Sequence, residues 1–460
     1  MSTSTSLSNT TSSATPIADH HFVQLPRTPL VPERILRRFG AYCSFDNRFR
    51  AGARLLQCLW LRDHDIPTAF SQAKESASDQ STAPSGYGSI LSAEAANAGR
   101  NFLSPAIFRH ALRSWLLCEE DACIDEERLF GNALSSAPLT TNIFSVLAED
   151  LDLASAVLQR LLPAYVQTVR RIELETSPGR RDPRYLDDRT AWDCAIHSVD
   201  PSGTPCIIYT EIKYSESLDH GNIARMRDRY PEASREVRLY DNPDSLILRS
   251  QPIEQLWREH MLAQLAVDNG VTPKAVFLAL GPELNRRVQG AFKVYQGELI
   301  DTDRQEPGRV PFVPSSLEKL VHSIHLAGAT ELARSLWDRY LDFQRICDLV
   351  LHEVAPHIGS ASSPAALSSA VSRSASRAPS KIGRVASPRR RLTAPTARRT
   401  IPLTAATNTA TEPASSIASR PRRSSSRTKA SSAIQSTGSA SAPSFSDEVP
   451  TASLAEGGTP

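Results

Sequence analysis

Thr190-Ala191-Trp192-Asp193-Cys194-Ala195-Ile196-His197-Ser198-Val199 runs into the turn Asp200-Pro201-Ser202-Gly203. The chain then continues as Cys206-Ile207-Ile208-Tyr209-Thr210-Glu211-Ile212-Lys213-Tyr214. Both stretches have strand composition, and the Asp-Pro-Ser-Gly between them supplies turn chemistry. The Ile-Ile-Tyr run belongs to a strand buried on both faces. Side chains two apart on a strand share a face. Glu211 and Lys213 therefore project together, while Ile212 points the other way into apolar packing. The short turn makes the two strands antiparallel neighbours, and counting outward from it sets Asp193 level with Glu211 to Lys213. Glu211-x-Lys213 is the only Glu-x-Lys in the 460 residues.

Two carboxylates on adjacent strands can share one cation. Mg²⁺ takes oxygen ligands in octahedral geometry at about 2.1 Å and keeps several waters. Asp193, Glu211 and the Ile212 carbonyl can provide the protein share. Such a metal lowers the pKa of a bound water and neutralises charge on a scissile phosphate. Lys213 beside it can orient the attacking water and stabilise developing negative charge. The bland reading is a solvated Glu–Lys pair with Asp193 capping a turn. Against it stand Ile207, Ile208, Tyr209 and Ile212, which imply a buried strand where Glu and Lys are costly unless paired or ligating.

Outward from this hairpin, Tyr165–Glu175 alternates and reads as a strand, and residues 177–183 read as a loop. Downstream come a helix over Pro252–Asn269, a strand over Ala275–Leu280, and helices over Ser316–Leu326 and Thr330–Glu353. Upstream the period is helical: Arg34–Arg62, Ser104–Glu119, Asp125–Leu134 and Asn142–Arg160, with an exposed loop over Lys74–Ser92. Trp257, Trp337 and Tyr340 fall at amphipathic helical spacing and read as core. Helices, three strands, a helix, a strand and more helices make an α+β or mixed α/β sheet.

Composition divides the chain further. Residues 1–30 and 356–460 are rich in Ser, Ala, Thr, Pro and Arg and poor in large apolar side chains, so both are expected to be disordered. Residues 31–163 form a helical part and 164–355 the sheet-bearing core. From Pro356 on there are 14 Lys plus Arg against 4 Asp plus Glu, so the tail carries +10 and the remainder −8 of the net +2. Basic clusters at Ser387–Arg391, Arg398-Arg399 and Arg420–Arg423 suit sequence-independent contact with a phosphate backbone, or a passive solubilising or targeting role. The seven cysteines have no zinc-ligand spacing and read as free thiols in a reducing compartment, hence a cytoplasmic expectation. No membrane span is expected, since no stretch is apolar enough. A Ser/Thr-rich start leaves export as a secreted effector as the alternative.

The residues together resemble the PD-(D/E)XK nuclease superfamily, most closely a bacterial branch of nuclease-like proteins. The resemblance rests on Arg48-Phe49-Arg50 with Ala53-Arg54-Leu55-Leu56, Asn101-Phe102-Leu103, Asn132-Ala133-Leu134-Ser135-Ser136, Ser177-Pro178-Gly179-Arg180, Arg189-Thr190-Ala191-Trp192-Asp193 and Glu211-Ile212-Lys213-Tyr214-Ser215-Glu216. It covers residues 31 to 354 and implies a restriction-endonuclease-like αβββαβ core with a helical N-terminal extension. It also implies Mg²⁺- or Mn²⁺-dependent hydrolysis of phosphodiesters in DNA, with Asp193, Glu211 and Lys213 at the signature positions. Trp192 stands where the common pattern has Pro. The superfamily adds an acidic residue, for which Glu175 is the candidate, a salt bridge to a nearby Arg being its other reading. It also adds a helical Gln, for which Gln255 and Gln264 compete with helix-surface roles. Arg180, Arg181, Arg184 and Arg189 lie near the site, as DNA-backbone contacts or structural ion pairs. His322 and His325 lack a third ligand and read as packing histidines. A catalytically silent module that binds nucleic acid or protein is the alternative to the enzyme.

Overall fold

The computed structural model describes residues 22–76, 86–216, 226–301 and 307–359. Their centre is a five-stranded sheet: β1 Thr168–Thr176, β2 Trp192–Val199, β3 Pro205–Ile212, β4 Ala275–Gly281 and β5 Phe312–Ser316, in that spatial order. β1, β2 and β3 are antiparallel; β4 runs parallel to β3, and β5 to β4. The β2–β3 turn closes because the Asp200 carboxylate accepts the Ser202 and Thr204 N–H groups, and Gly203 takes φ +85°. Parallel pairing instead requires crossovers. The β3–β4 connection carries α8 Arg229–Glu236 and α9 Glu254–Asp268, and the β4–β5 connection carries α10 Arg286–Gln296.

Helices cover both faces. Cys194, Ile196, Ile208, Ile212, Val276, Leu278 and Leu280 point into one core. It is shared with α2 Arg48–Asp63, α6 Ser136–Glu149, α7 Leu151–Leu161, α11 Leu317–Leu326 and α12 Thr330–Tyr340. Ala195, Ile207, Tyr209, Ala275, Phe277 and Ala279 point the other way, onto α9 and α10. Every residue of β4 is buried, as a central parallel strand requires. This is an α/β fold consistent with the αβββαβ core expected from the sequence. The stretch from Phe22 to Leu30, assigned above to the N-terminal tail, lies along the first core: the Phe22 ring meets Trp337 edge-on at 5.1 Å and Thr28 is buried. Residues 1–21 and 360–460, where disorder and the basic clusters are expected, lie outside the described residues.

Several expected elements differ. β5 reads as coil in sequence, because it is a short edge strand interrupted by Pro314. Asp125–Leu134 is not an α-helix but a single five-residue π-turn over Glu127–Gly131. The helix expected over Arg34–Arg62 is two, α1 Glu33–Arg38 and α2. Gly40 lies between them at φ +67°, where a Cβ would come within 2.5 Å of the Phe70 ring. The helix expected over Asn142–Arg160 is likewise α6 and α7, parted at Asp150, whose carboxylate caps α7 through Leu153 N–H. The final expected helix divides into α12 and α13 Phe343–Gly359. Short helices α3 Ala69–Ser76, α4 Ala93–Asn97 and α5 Pro105–Leu116 complete the helical part. Within the expected Lys74–Ser92 loop, Gly88, Ser89, Leu91 and Ser92 are buried rather than exposed, and Leu91 bridges to Thr68; residues 77–85 lie outside the described residues.

Candidate active site

The ladder pairs Leu174 with Cys194, Thr176 with Trp192, and Cys194 with Thr210. One step along that register sets Glu175, Asp193 and Glu211 abreast on three successive strands. They open into a cleft of about 640 Å³ that also takes Lys213, Gln255 and Glu259 into its lining. The level placement of Asp193 with Glu211, counted from the turn, is the one observed. Asp193 Oδ2 also accepts the Ile212 N–H at 2.7 Å, tying the two strand ends together.

Lys213 follows the last residue of β3 and still pairs with β4, donating its N–H to the Leu280 carbonyl at 2.8 Å. Its Nζ lies 2.5 Å from Glu211 Oε1 and donates to Gln255 Oε1 at 2.7 Å. Burial alone would lower the Lys213 pKa, but Glu211, Glu259 and Asp193 outweigh it and hold the ammonium charged. Gln255, in the first turn of α9, returns its amide to Glu211 Oε1 at 2.9 Å and to Glu259 Oε1 at 2.7 Å. One side chain thus fixes both members of the Glu–Lys pair. Gln264 takes no part: it accepts Val310 N–H and donates to Asp268, tying α9 to the approach of β5.

Glu259 is the site residue that sequence reasoning missed. It stands one helical turn after Gln255, is 2 % exposed, and leaves Oε2 without a hydrogen-bond partner. The i, i+4 spacing from Gln255 is a signal that could have found it. Burial, then Glu211, pushes the Glu259 carboxyl well above its usual range, and the same two causes raise Asp193. Trp192, in the place of the usual Pro, stacks on Tyr209 at 3.8 Å and donates Nε1–H to the Glu259 carbonyl at 3.1 Å. It therefore holds α9 against the sheet beside Asp193.

Glu175 borders the cleft and also meets an arginine. It lines the cleft and lies 3.7 Å from Arg180, whose guanidinium also bonds the Glu175 carbonyl at 3.0 Å. Its backbone sits at φ +50°, a left-handed conformation uncommon outside glycine. The arginines near the loop are engaged: Arg180 with Glu119, Arg181 and Arg189 with Asp121, and Arg184 with Asp182. Structural pairing thus accounts for the four, although Arg189 also borders the cleft. His322 and His325 flank the Phe22 ring as packing groups.

The segment after Lys213 is gripped from three remote parts of the chain. Gln57 donates to the Tyr214 hydroxyl at 3.1 Å and Asn285 to the Tyr214 carbonyl at 2.9 Å. Arg50 donates to the Ser215 carbonyl at 3.3 Å, and the Ser215 hydroxyl donates to Leu134. Glu216 accepts Ser136 N–H at 2.8 Å, at the start of α6. The quoted motifs that hold Arg50 and Leu134 to Ser136 converge here.

Among the described residues no group of three or more His, Cys, Asp or Glu is arranged as a metal centre. Two carboxylates and a carbonyl nevertheless suit a cation that keeps most of its waters. The unpartnered Glu259 oxygen and the mutually repelling Asp193 and Glu211 show a negative balance that a divalent cation would relieve. The donor set fits.

A family model described as the PD-(D/E)XK nuclease superfamily matches residues 44–342. No curated protein and no solved structure matches the chain. No described helix is long and apolar enough to cross a membrane.

Proposed function

The chain belongs to the PD-(D/E)XK nuclease superfamily, and from that membership we propose that it is a metal-dependent nuclease hydrolysing phosphodiester bonds in DNA. The observation that carries this reading is the row Glu175, Asp193, Glu211 ending beside a buried, charged Lys213. Asp193, Glu211 and the Ile212 carbonyl would hold Mg²⁺ or Mn²⁺, with Glu175 at the edge of the cleft. Such an ion, when bound, supplies an activated water and charge neutralisation at the phosphate.

The chain's own residues do the rest. Lys213 presents a fixed positive charge where negative charge develops on the phosphate, and its burial strengthens that interaction. Gln255 holds Lys213 and Glu211 in one orientation, so little reorganisation remains for the reaction itself. Glu211 first, and Glu259 behind it, favour the protonated lysine.

The test is cleavage of supercoiled plasmid and of single-stranded DNA by wild type and Asp193→Ala, with Mg²⁺, Mn²⁺ or EDTA. Metal-dependent nicking absent from the variant supports the reading. Binding without cleavage under any metal would move the assignment to a silent nucleic-acid-binding module.

A further inference from the structure

Beyond the cleft, a second hollow of about 410 Å³ lies where α2 and α10 begin. Arg27, Arg48, Arg286 and Arg287 line it, all four exposed, and no acidic side chain does. Among the described residues Arg27 and Arg48 make no ion pair, and Arg286 donates to the Pro26 carbonyl at 3.0 Å. This contrasts with the paired arginines around Arg180. Arg27 and Arg48 bring like charge to one hollow whose walls hold no carboxylate. Asn47 and Asn285, also in the lining, are the N-caps of α2 and α10, helices of 16 and 11 residues. Both helices therefore add the positive end of their dipoles to the same place.

The hollow and the cleft border the same end of α2. Arg48 and Arg50 share the first turn of α2, Arg48 lining the hollow and Arg50 the cleft. Between them runs Tyr214–Ser215, held by Asn285 from the hollow side and by Arg50 from the cleft side. A polyanion that extends beyond the cleft would reach the arginines by way of the first turn of α2. We propose that the hollow is a binding subsite for backbone phosphate of DNA flanking the scissile bond. The assignment of DNA rests on the nuclease reading above. Arginine forks suit phosphate, and such contacts position a duplex without reading its sequence.

The test is anisotropy of a fluorescent DNA duplex with the full chain in EDTA, titrated with salt. Wild type is compared with Arg48→Gln/Arg286→Gln and with Arg48→Lys/Arg286→Lys. The Gln pair is expected to bind roughly tenfold more weakly and to lower the slope of log K against log salt by about two, since each phosphate contact contributes about 0.9. The Lys pair should keep most of the slope. In Mg²⁺ the Gln pair should raise KM and leave kcat unchanged. A well-folded Gln pair with wild-type affinity and slope overturns the subsite, as does a wild type that does not bind the duplex. If inorganic phosphate raises the Tm of wild type but not of the Gln pair, while the DNA slope stays the same, the hollow is a free-anion site and the proposal fails. Arginine-dependent binding without cleavage would keep the subsite and reject the nuclease. Cleavage with an unchanged KM in the Gln pair would do the reverse.

Discussion

Glu211 and Lys213 form an ion pair at 2.5 Å with 4 % and 9 % of their side chains exposed. Two residues on one strand face hold each other's charge out of water, and neither has a bulk-solvent alternative.

Removing the cation should therefore have two consequences. Lys213→Ala is expected to lower the cleavage rate by about 10²–10³. It should also destabilise the metal-free protein by about 3–5 kcal/mol, because Glu211 stays buried without its counter-charge. Added Mg²⁺ should restore part of that stability. Nicking assays and melting curves with and without EDTA measure the two effects separately, and full-rate cleavage by the variant would remove Lys213 from the mechanism.

Gln255 bonds Glu211, Lys213 and Glu259 together. Gln255→Ala should cut kcat about tenfold and leave Glu259 with neither oxygen bonded, a loss of about 1–3 kcal/mol. Adding Glu259→Gln replaces the stranded carboxyl with a neutral amide and should return much of the lost Tm without returning the rate. A double-mutant cycle in melting temperature checks the coupling, and strict additivity would argue against a shared network.

Trp192 both stacks on Tyr209 and bonds the Glu259 carbonyl. Trp192→Phe keeps the stack and deletes the bond, so a loss of about 1–2 kcal/mol is expected. Trp192→Ala deletes both and should cost about 3–5 kcal/mol. Denaturant melts of the pair would show whether ring burial dominates the hydrogen bond.

The buried Glu318, near the start of α11, predicts a pH dependence away from the site. Its carboxylate accepts Glu283 N–H at 3.0 and 3.1 Å, yet burial pushes its pKa from 4.5 up to about 7. A folded pKa above the unfolded one means the stabilising contribution is full below about pH 4.5 and is lost as pH rises through about 7. That loss is on the order of 3 kcal/mol. Glu318→Gln should accordingly raise Tm at pH 8 and change it little at pH 5. Equal shifts at both values would mean the carboxyl does not titrate in this window.

The hairpin around Asp200 made the heart of the site legible. A tight turn fixes register, register fixes which side chains stand abreast, and Asp193 opposite Glu211 follows from counting alone. Gln255 came into view through the family resemblance, and the structure separated it from Gln264. Glu259 did not, because its role depends on which face α9 turns to the sheet, and that is set by Trp192 and the packing of the second core. β5 escaped because Pro314 disguises a short edge strand. The break between α6 and α7 escaped because their apolar positions keep a helical period straight through Asp150. Local pattern carried the strands; remote packing decided the helix ends.

The three-way grip on Tyr214–Glu216 bears on how far this protein can be cut down. Gln57, Arg50, Leu134 and Ser136 all come from the helical part of the chain, and each holds a residue within three positions of Lys213. A fragment beginning at residue 164 would retain the strands and the acidic row, but the lysine's tether would hang loose. The helices before the sheet are therefore the mould in which the lysine is set, and no minimal version of the protein can leave them out.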